Sequence, residues 1–279
     1  MTVARRSEPD GRGIRADYHF HTAFSYDSRT TPEAVLERAL SSGLDVLCVT
    51  DHDTIEGALA LARVRCPEVE VVVGCEFTAD DGSHVIGLDL RDAIAERRLP
   101  ALLEEIKLQG GLVLLPHPFR RGSGVFRNEA RRSEAFVREV LSRTDLVECF
   151  NGRDSYEANQ RSYRFALTRG LAAVAGSDAH TPAEIGSVFV EYERAGFVHG
   201  ASPRRVVFPA QEPAFESSFK RRLMELFHAH KRSLPTIVTE AHRILRKRLG
   251  RDVPRDPLAA PRAHYELAGA PSEARAHGE

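Results

Sequence analysis

His19 and His21 stand two residues apart at the end of an alternating segment, Ile14 to Phe20, and Asp27 follows within a short loop. In a strand, residues i and i+2 project from one face, so both imidazoles can reach one ion. Neutral imidazole suits Zn²⁺, Mn²⁺ and Fe²⁺, and a nearby carboxylate adds charge to hold a second hard cation. A single His-x-His is a weak signal. Here the same residue types return four more times: Asp51-His52-Asp53, Glu76 followed by His84, Pro116-His117-Pro118, and Asp178-Ala179-His180. Six of the twelve histidines belong to this series; His199, His228, His230, His242, His264 and His277 fall outside it and read as exposed or helix-surface side chains.

The elements that must carry these residues are legible as an alternation. Thr31-Pro32-Glu33 starts a helix, with Thr as N-cap, Pro at the first helical position and a carboxylate in the first turn. That helix stops at Gly43. Leu44 to Thr50 is an apolar run of the kind found in buried parallel strands, and it ends in Asp51-His52-Asp53. A helix from Ile55 to Val64 precedes the strand Val69 to Cys75, which delivers Glu76. A turn at Asp80-Asp81-Gly82 leads to the strand His84 to Leu88. The pattern continues with a helix Ala95–Gln109, a strand Leu112–Leu115 before His117, a helix Ser133–Ser142, a strand Asp145–Phe150 ending in Asn151, a helix Tyr156–Arg169 stopped by Gly170, and a strand Leu171–Ala175 before Asp178. Ser187 to Tyr192 reads as a last strand.

Such β/α alternation predicts a parallel sheet or barrel. In a barrel the C-terminal strand ends share one rim, where active sites sit. His19, His21, His52, Glu76, His117, Asp178 and His180 would then converge although they are far apart in sequence.

Composition bounds the partners. Formal net charge is −1, so no global attraction to nucleic acid or anionic membrane follows. From Ala201 onward, 15 Lys/Arg stand against 9 Asp/Glu, which leaves the preceding part acidic. Cys48, Cys66, Cys75 and Cys149 form no C-x-x-C pair; three sit in apolar runs as buried, reduced thiols, which fits a cytoplasmic setting. Residues 1–13 read as a disordered leader without the apolar stretch of a secretory signal. No apolar run approaches membrane-spanning length. Phe215 to His230 and Pro235 to Leu249 read as two helices of an extension over 201–250, and 251–279 reads as a disordered tail.

His19-Phe20-His21-Thr22, Thr50-Asp51-His52-Asp53, Gly74-Cys75-Glu76, Pro116-His117-Pro118 and Gly176-Ser177-Asp178-Ala179-His180 together resemble the motifs of the PHP (polymerase and histidinol phosphatase) family over roughly residues 14–192. The resemblance implies an α/β fold, a distorted (β/α)7 TIM-like barrel over 14–200. It implies two to three divalent ions, Mn²⁺, Fe²⁺ or Zn²⁺, held by His19, His21, Asp27, His52, Glu76, His84, His117, Asp178 and His180. Glu76 has two oxygens and is the natural bridge; His19, His21 and Asp178 would complete one ion, His52, His117 and His84 would serve the others, and Asp27 and His180 a third. Asp17, Asp51 and Asp53 are candidates to orient imidazoles by accepting N–H bonds, with ion pairs to arginines as the alternative.

The implied reaction is hydrolysis of phosphate esters by a metal-bound hydroxide. Arg120 and Arg121, Asn151 and Arg153 follow strand ends on the same rim, where guanidinium groups could hold the substrate phosphate. The segment Arg120 to Arg132 could form a lid. No nucleophile elbow, P-loop or dinucleotide fingerprint is present. The substrate class is a small phosphorylated metabolite or the end of a short oligonucleotide: a nucleotide, a 3′,5′-bisphosphonucleoside or an oligonucleotide end, with a histidinol-phosphate-type substrate as the alternative. A reading of another class is a nucleic-acid-binding or partner-docking protein with a structural metal site, based on Lys220-Arg221-Arg222 and Arg246-Lys247-Arg248. A metal-dependent amidohydrolase is a third, set back by the lack of a suitable bridging lysine.

Overall fold

A computed structural model of the chain describes residues 12–128, 132–194, 197, 199–209 and 262–266. The local signals that begin and end the helices act as the sequence indicates. Helix α1 (Pro32–Ser42) is capped by the Thr31 hydroxyl, which accepts from the Ala34 N–H, and it ends at Gly43 in the left-handed region, φ +70°. Ser133 and Ser155 cap α4 (Glu134–Leu141) and α5 (Tyr156–Arg169) in the same way, and Gly170 ends α5. Helix α2 spans Glu56–Arg63. Helix α3 begins at Leu99 rather than Ala95. Pro100 explains the later start, because its ring would clash with the Glu96 carbonyl in a continuous helix.

The strands are β1 (Ile14–Phe20), β2 (Val46–Val49), β3 (Glu70–Thr78), β4 (His84–Leu88), β5 (Leu112–Leu115), β6 (Leu146–Asn151), β7 (Ala172–Gly176), β8 (Phe189–Tyr192), β9 (Arg205–Pro209) and β10 (Arg262–Glu266). They form one sheet in the order β10-β9-β8-β1-β2-β3-β4-β5-β6-β7. Pairs β1–β2, β2–β3, β5–β6 and β6–β7 are parallel. Strand β4 is antiparallel to both neighbours. The turn after β3 is too short for the crossover that a parallel pair requires. This reversal is one distortion of the barrel. Its consequence is that His84 starts its strand, yet lies at the same rim as residues that end theirs.

The barrel closes at a split seam on β1. The lower half of β1 pairs antiparallel with β8, Ile14 opposite Tyr192 and Ala16 opposite Val190. The upper end instead takes the chain that follows β7: Asp178 donates its N–H to the His19 carbonyl at 2.6 Å, and His21 donates to the Ala179 carbonyl at 2.9 Å. Asp17 sits at the junction, fully buried, accepting backbone N–H bonds from Ser177, Gly186 and His19. Burial pushes its carboxyl up to about 6 against those bonds.

One apolar cluster, including Ala16, Val46, Val72, Ile86, Leu114, Val147 and Val174, fills the barrel; a second packs α1 and α2 against the outer face through Phe20, Val35, Leu47 and Leu61. Cys48, Cys75 and Cys149 are free and buried. His199 is a correction to the sequence reading. It is not a surface residue but packs parallel to Tyr18, ring centroids 5.4 Å apart, with its side chain 13% exposed.

The strand Ser187 to Tyr192 is not the last. Arg205–Pro209, inside the stretch read as helical, pairs with it as β9, and Arg262–Glu266, inside the stretch read as a disordered tail, pairs with β9. The stretches 215–230 and 235–249 that the sequence reads as helices, and with them both basic stretches, lie outside the described residues. No helix among the described residues is long and apolar enough to cross a membrane.

Candidate metal centre

The rim where β1, β2, β3, β5 and β7 end gathers every histidine and carboxylate singled out as a ligand. A register irregularity in β1 between Asp17 and Phe20 accompanies the turn of the strand into this rim. His19 and His21 bring their Nε2 atoms within 3.2 Å of each other. Both face Glu76 Oε2, at 3.3 and 3.4 Å, and Asp178 Oδ1, at 3.6 and 3.3 Å. His52 Nδ1 also approaches Glu76 Oε2, at 3.3 Å. The other Glu76 oxygen faces His84 Nδ1 and His117 Nε2, both at 2.9 Å. Asp27 Oδ2 lies 3.1 Å from His180 Nε2 and 3.5 Å from His52 Nε2.

Four groups of donor atoms could each surround one ion: His21, Asp27, His52 and His180; His19, His21 and Glu76; His19, His117 and Asp178; and His52, Glu76 and His84. Glu76 belongs to two of these, with Oε2 facing His19, His21 and His52 and Oε1 facing His84 and His117. The division differs from the sequence reading in three respects: His117 groups with His19 and Asp178, His21 joins Asp27 and His180 and shares no group with Asp178, and His52 is shared with His84 on one side and Asp27 on the other.

The donor set fits divalent cations on the geometry of the chain itself. Donors about 2.0–2.2 Å from one cation at tetrahedral angles stand roughly 3.3–3.6 Å apart, and the separations above cluster there. Two buried imidazole nitrogens, His52 Nδ1 and His117 Nδ1, have no hydrogen-bond partner. Charge tells the same story. Burial opposes a proton on His19, yet Asp178, Glu76 and Glu148 outweigh it and hold its pKa well above the ordinary imidazole range. Burial, with His180 and His52 alongside, drives His21 down to about 3. For His52 burial again opposes the charge, but Glu76 and Asp27 raise it to about 9. Glu76 and Asp178 stay ionised despite burial because of the cations around them.

The backbone is strained where it presents two of these side chains. His117 and Asp178 sit at φ +29° and +52°, which non-glycine residues seldom adopt. Each such residue costs of order 1–3 kcal/mol and persists only where its surroundings hold it. The Asp178 N–H is held by the His19 carbonyl, and the His117 N–H by Glu148 Oε2 at 2.7 Å.

Residues assigned supporting roles divide differently than expected. Asp17 and Asp51 do not accept from imidazoles: Asp17 closes the seam, and Asp51 accepts from the Thr22 N–H and hydroxyl at 2.6 and 2.7 Å. Asp53 takes the alternative and pairs with Arg97 at 3.3 Å. The carboxylate that does accept from an imidazole is Glu148, which the motif pattern does not single out. A charged residue in the apolar run Leu146-Val147-Glu148-Cys149-Phe150 is its one signal in the sequence.

Arg120 spends its guanidinium on Asp154, Asp178 and Asn151 at 2.6, 2.9 and 2.7 Å. Asn151 is buried, and its side chain joins Glu148, Asp178 and Arg120 rather than facing solvent. Arg153 lies 3.4 Å from Glu184, and Arg121 is exposed. The segment after His117 is no loose lid over its described length: Val125 and Phe126 are fully buried, and Arg127 donates to Ser83.

A barrel with a histidine–carboxylate centre at its rim is thus the class of protein the chain defines, and known proteins place it further. The PHP domain model matches residues 17–176, and a PHP-associated model matches residues 156–198. The chain belongs to the PHP family. It is 36% identical over 118 residues to an uncharacterized protein of Methanocaldococcus jannaschii, covering 38% of this chain and 68% of that one. It is 32% identical over 96 residues to a 5′-3′ exoribonuclease of Haemophilus influenzae, covering 33% of this chain and 34% of the other. Its fold is shared with a two-domain Bacteroides vulgatus protein containing a predicted PHP-like metal-dependent phosphoesterase, with a TM-score of 0.56, 20% identity, and coverage of 74% and 69%.

Proposed function

We propose that the protein is a metal-dependent hydrolase of phosphate esters, acting on nucleotides or on the phosphorylated end of short oligonucleotides. The convergence of His19, His21, Asp27, His52, Glu76, His84, His117, Asp178 and His180 into overlapping donor groups carries this reading. Divalent cations held there supply Lewis acidity and a nucleophilic water for in-line displacement at phosphorus. The chain's own residues do the rest. Glu76 belongs to two of the donor groups and would tie them together, its two oxygens facing five imidazoles between them. Asp178, its second oxygen engaged by Arg120 and Asn151, turns Oδ1 toward His19 and His21. Arg121 and Arg153, at the rim, meet the phosphate; Arg120 acts through Asp178, and Asn151 is structural. The exoribonuclease relative supports a nucleotide-type substrate over a histidinol-phosphate type.

The test is phosphate or nucleotide release by Mn²⁺-reconstituted protein from AMP, a 3′,5′-bisphosphonucleoside, a 5′-phosphorylated short RNA and histidinol phosphate, with a chelator control. Chelator-sensitive release from a nucleotide-type substrate supports the proposal. Release from histidinol phosphate alone moves the substrate class, and no release by metal-loaded protein overturns the hydrolase reading.

A further inference from the structure

Glu148 is a carboxylate in the middle of β6, fully buried. A buried carboxylate is costly unless each oxygen is engaged. One oxygen, Oε1, accepts from His19 Nδ1 at 3.1 Å. The other accepts from the His117 backbone N–H at 2.7 Å and from Asn151 Nδ2 at 2.9 Å. Its three partners are all donors, and they come from three segments of the rim. Neighbouring residues reserve the space. A side-chain carbon on Gly176 would overlap the His19 Cβ and come within 2.8 Å of Glu148 Oε1.

We propose that Glu148 is the positioning residue of the centre: it fixes the tautomer and ring angle of His19 and clamps His117 in its strained backbone conformation. The inference rests on the functional reading above. In the neutral ring that a metal ligand must be, an Nδ1 proton committed to Glu148 leaves Nε2 bare toward Glu76 and Asp178. Holding the His117 N–H keeps that residue at φ +29°, which aims its Nε2 at Glu76. One side chain thereby orients two candidate ligands from different strands, and Asn151 relays the same carboxylate to Asp178. Glutamine cannot substitute. Its amide NH₂ must face either His19 Nδ1, which would move the ring proton to Nε2 and block that donor, or two N–H groups that have no acceptor in it.

The experiment compares Mn²⁺ affinity by calorimetry in the wild type, Glu148→Gln, Glu148→Asp and Glu191→Gln. Glu191 is a second buried strand carboxylate, paired with Arg15 and Arg205 away from the rim. Carboxylates that orient metal-binding histidines are worth about 10- to 100-fold in affinity. Glu148→Gln is expected to weaken binding by that factor, Glu148→Asp by less, and Glu191→Gln not at all. In Zn²⁺-loaded, ¹⁵N-histidine-labelled protein, the wild type should show a slowly exchanging His19 Nδ1–H signal that Glu148→Gln lacks. Should Glu148→Gln fail to fold, the wild-type signal and Glu148→Asp decide. Equal affinity in wild type and the folded Glu148 variants, or a His19 proton on Nε2, overturns this inference alone. A wild type that binds neither metal overturns the functional reading as well.

Discussion

Strand β4 runs between two polar clusters that solve opposite problems, one of six histidines and one built around His199. At its start, His84 joins five other imidazoles whose nitrogens converge on a few carboxylate oxygens. One residue past its end, Asp89 accepts from His199 Nδ1 at 3.2 Å, while His199 Nε2 lies 3.6 Å from the Cys48 thiol. Beside them the Tyr18 and Tyr192 hydroxyls share a 2.5 Å hydrogen bond, and the Gly200 N–H donates to Tyr18. At this lower end unlike groups pair with one another: an imidazole with a carboxylate and a thiol, and two hydroxyls with each other. At the rim the nitrogens face one another across 3.2 Å, and two have no partner. Six imidazoles crowded onto a few shared carboxylates, with nitrogens left over, suit a ligand from outside the protein; complementary pairs suit the fold.

The sharpest way to break this contrast is to remove a rim donor. His21→Ala takes away a side chain shared by two donor groups, and metal ions contribute several kcal/mol to the transition state. Mn²⁺-dependent hydrolysis should fall by about 10³-fold with circular dichroism unchanged; unchanged turnover would show that the convergence is not the active centre. Chelation should act only on the rim. A cation at about 100 times its Kd stabilises the folded state by roughly 2.7 kcal/mol, so adding a chelator should lower Tm by about 5–10 °C. A Tm indifferent to chelator would count against any bound cation.

At the lower end the effects are on stability alone. His199→Ala leaves Asp89 and the Cys48 thiol without their partner and should cost about 1–3 kcal/mol in denaturant unfolding; Mn²⁺ affinity should be unchanged. Tyr192→Phe leaves Tyr18 its Gly200 bond and should cost only about 1 kcal/mol.

The pH dependence of the rim has a definite sign. His19 and His52 have raised pKa values, the latter to about 9, so at neutral pH they carry protons in the metal-free protein. A ligating imidazole must be neutral, so metal binding releases those protons. Affinity should climb by up to about tenfold per pH unit for each displaced proton, the His52 contribution levelling off above about pH 9. Calorimetry in buffers of different ionisation enthalpy reads the released protons directly; zero release at pH 7 would contradict the assigned charges.

Local signals in the residue order carry much of this. Thr31-Pro32 and Gly43 announce α1, and Gly170 ends α5, because capping depends on a few adjacent residues. The rim ligands are legible because they follow or interrupt apolar runs. Glu148 escapes because it looks like a single polar interruption of a strand, and its partners lie 31 and 129 residues away. Arg120 and Asn151 stand on the expected rim with their side chains engaged by Asp178, Glu148 and each other. Residue type identifies what a side chain can bind, and only packing shows what it does bind. The strands β9 and β10 leave no clear pattern because short strands at the margin of a sheet are set by the strands they join as much as by their own residues.

By itself, then, the sequence determined which donors exist and that each arrives at a strand end, since side-chain period, apolar runs and caps are local properties. Only the tertiary structure decided that β1 divides one edge between β8 and the chain after β7, and that His117 shares a group with His19 rather than His52. Those outcomes turn on strand register and on contacts between residues more than a hundred positions apart. There, a one-residue slip would carry every side chain to the opposite face.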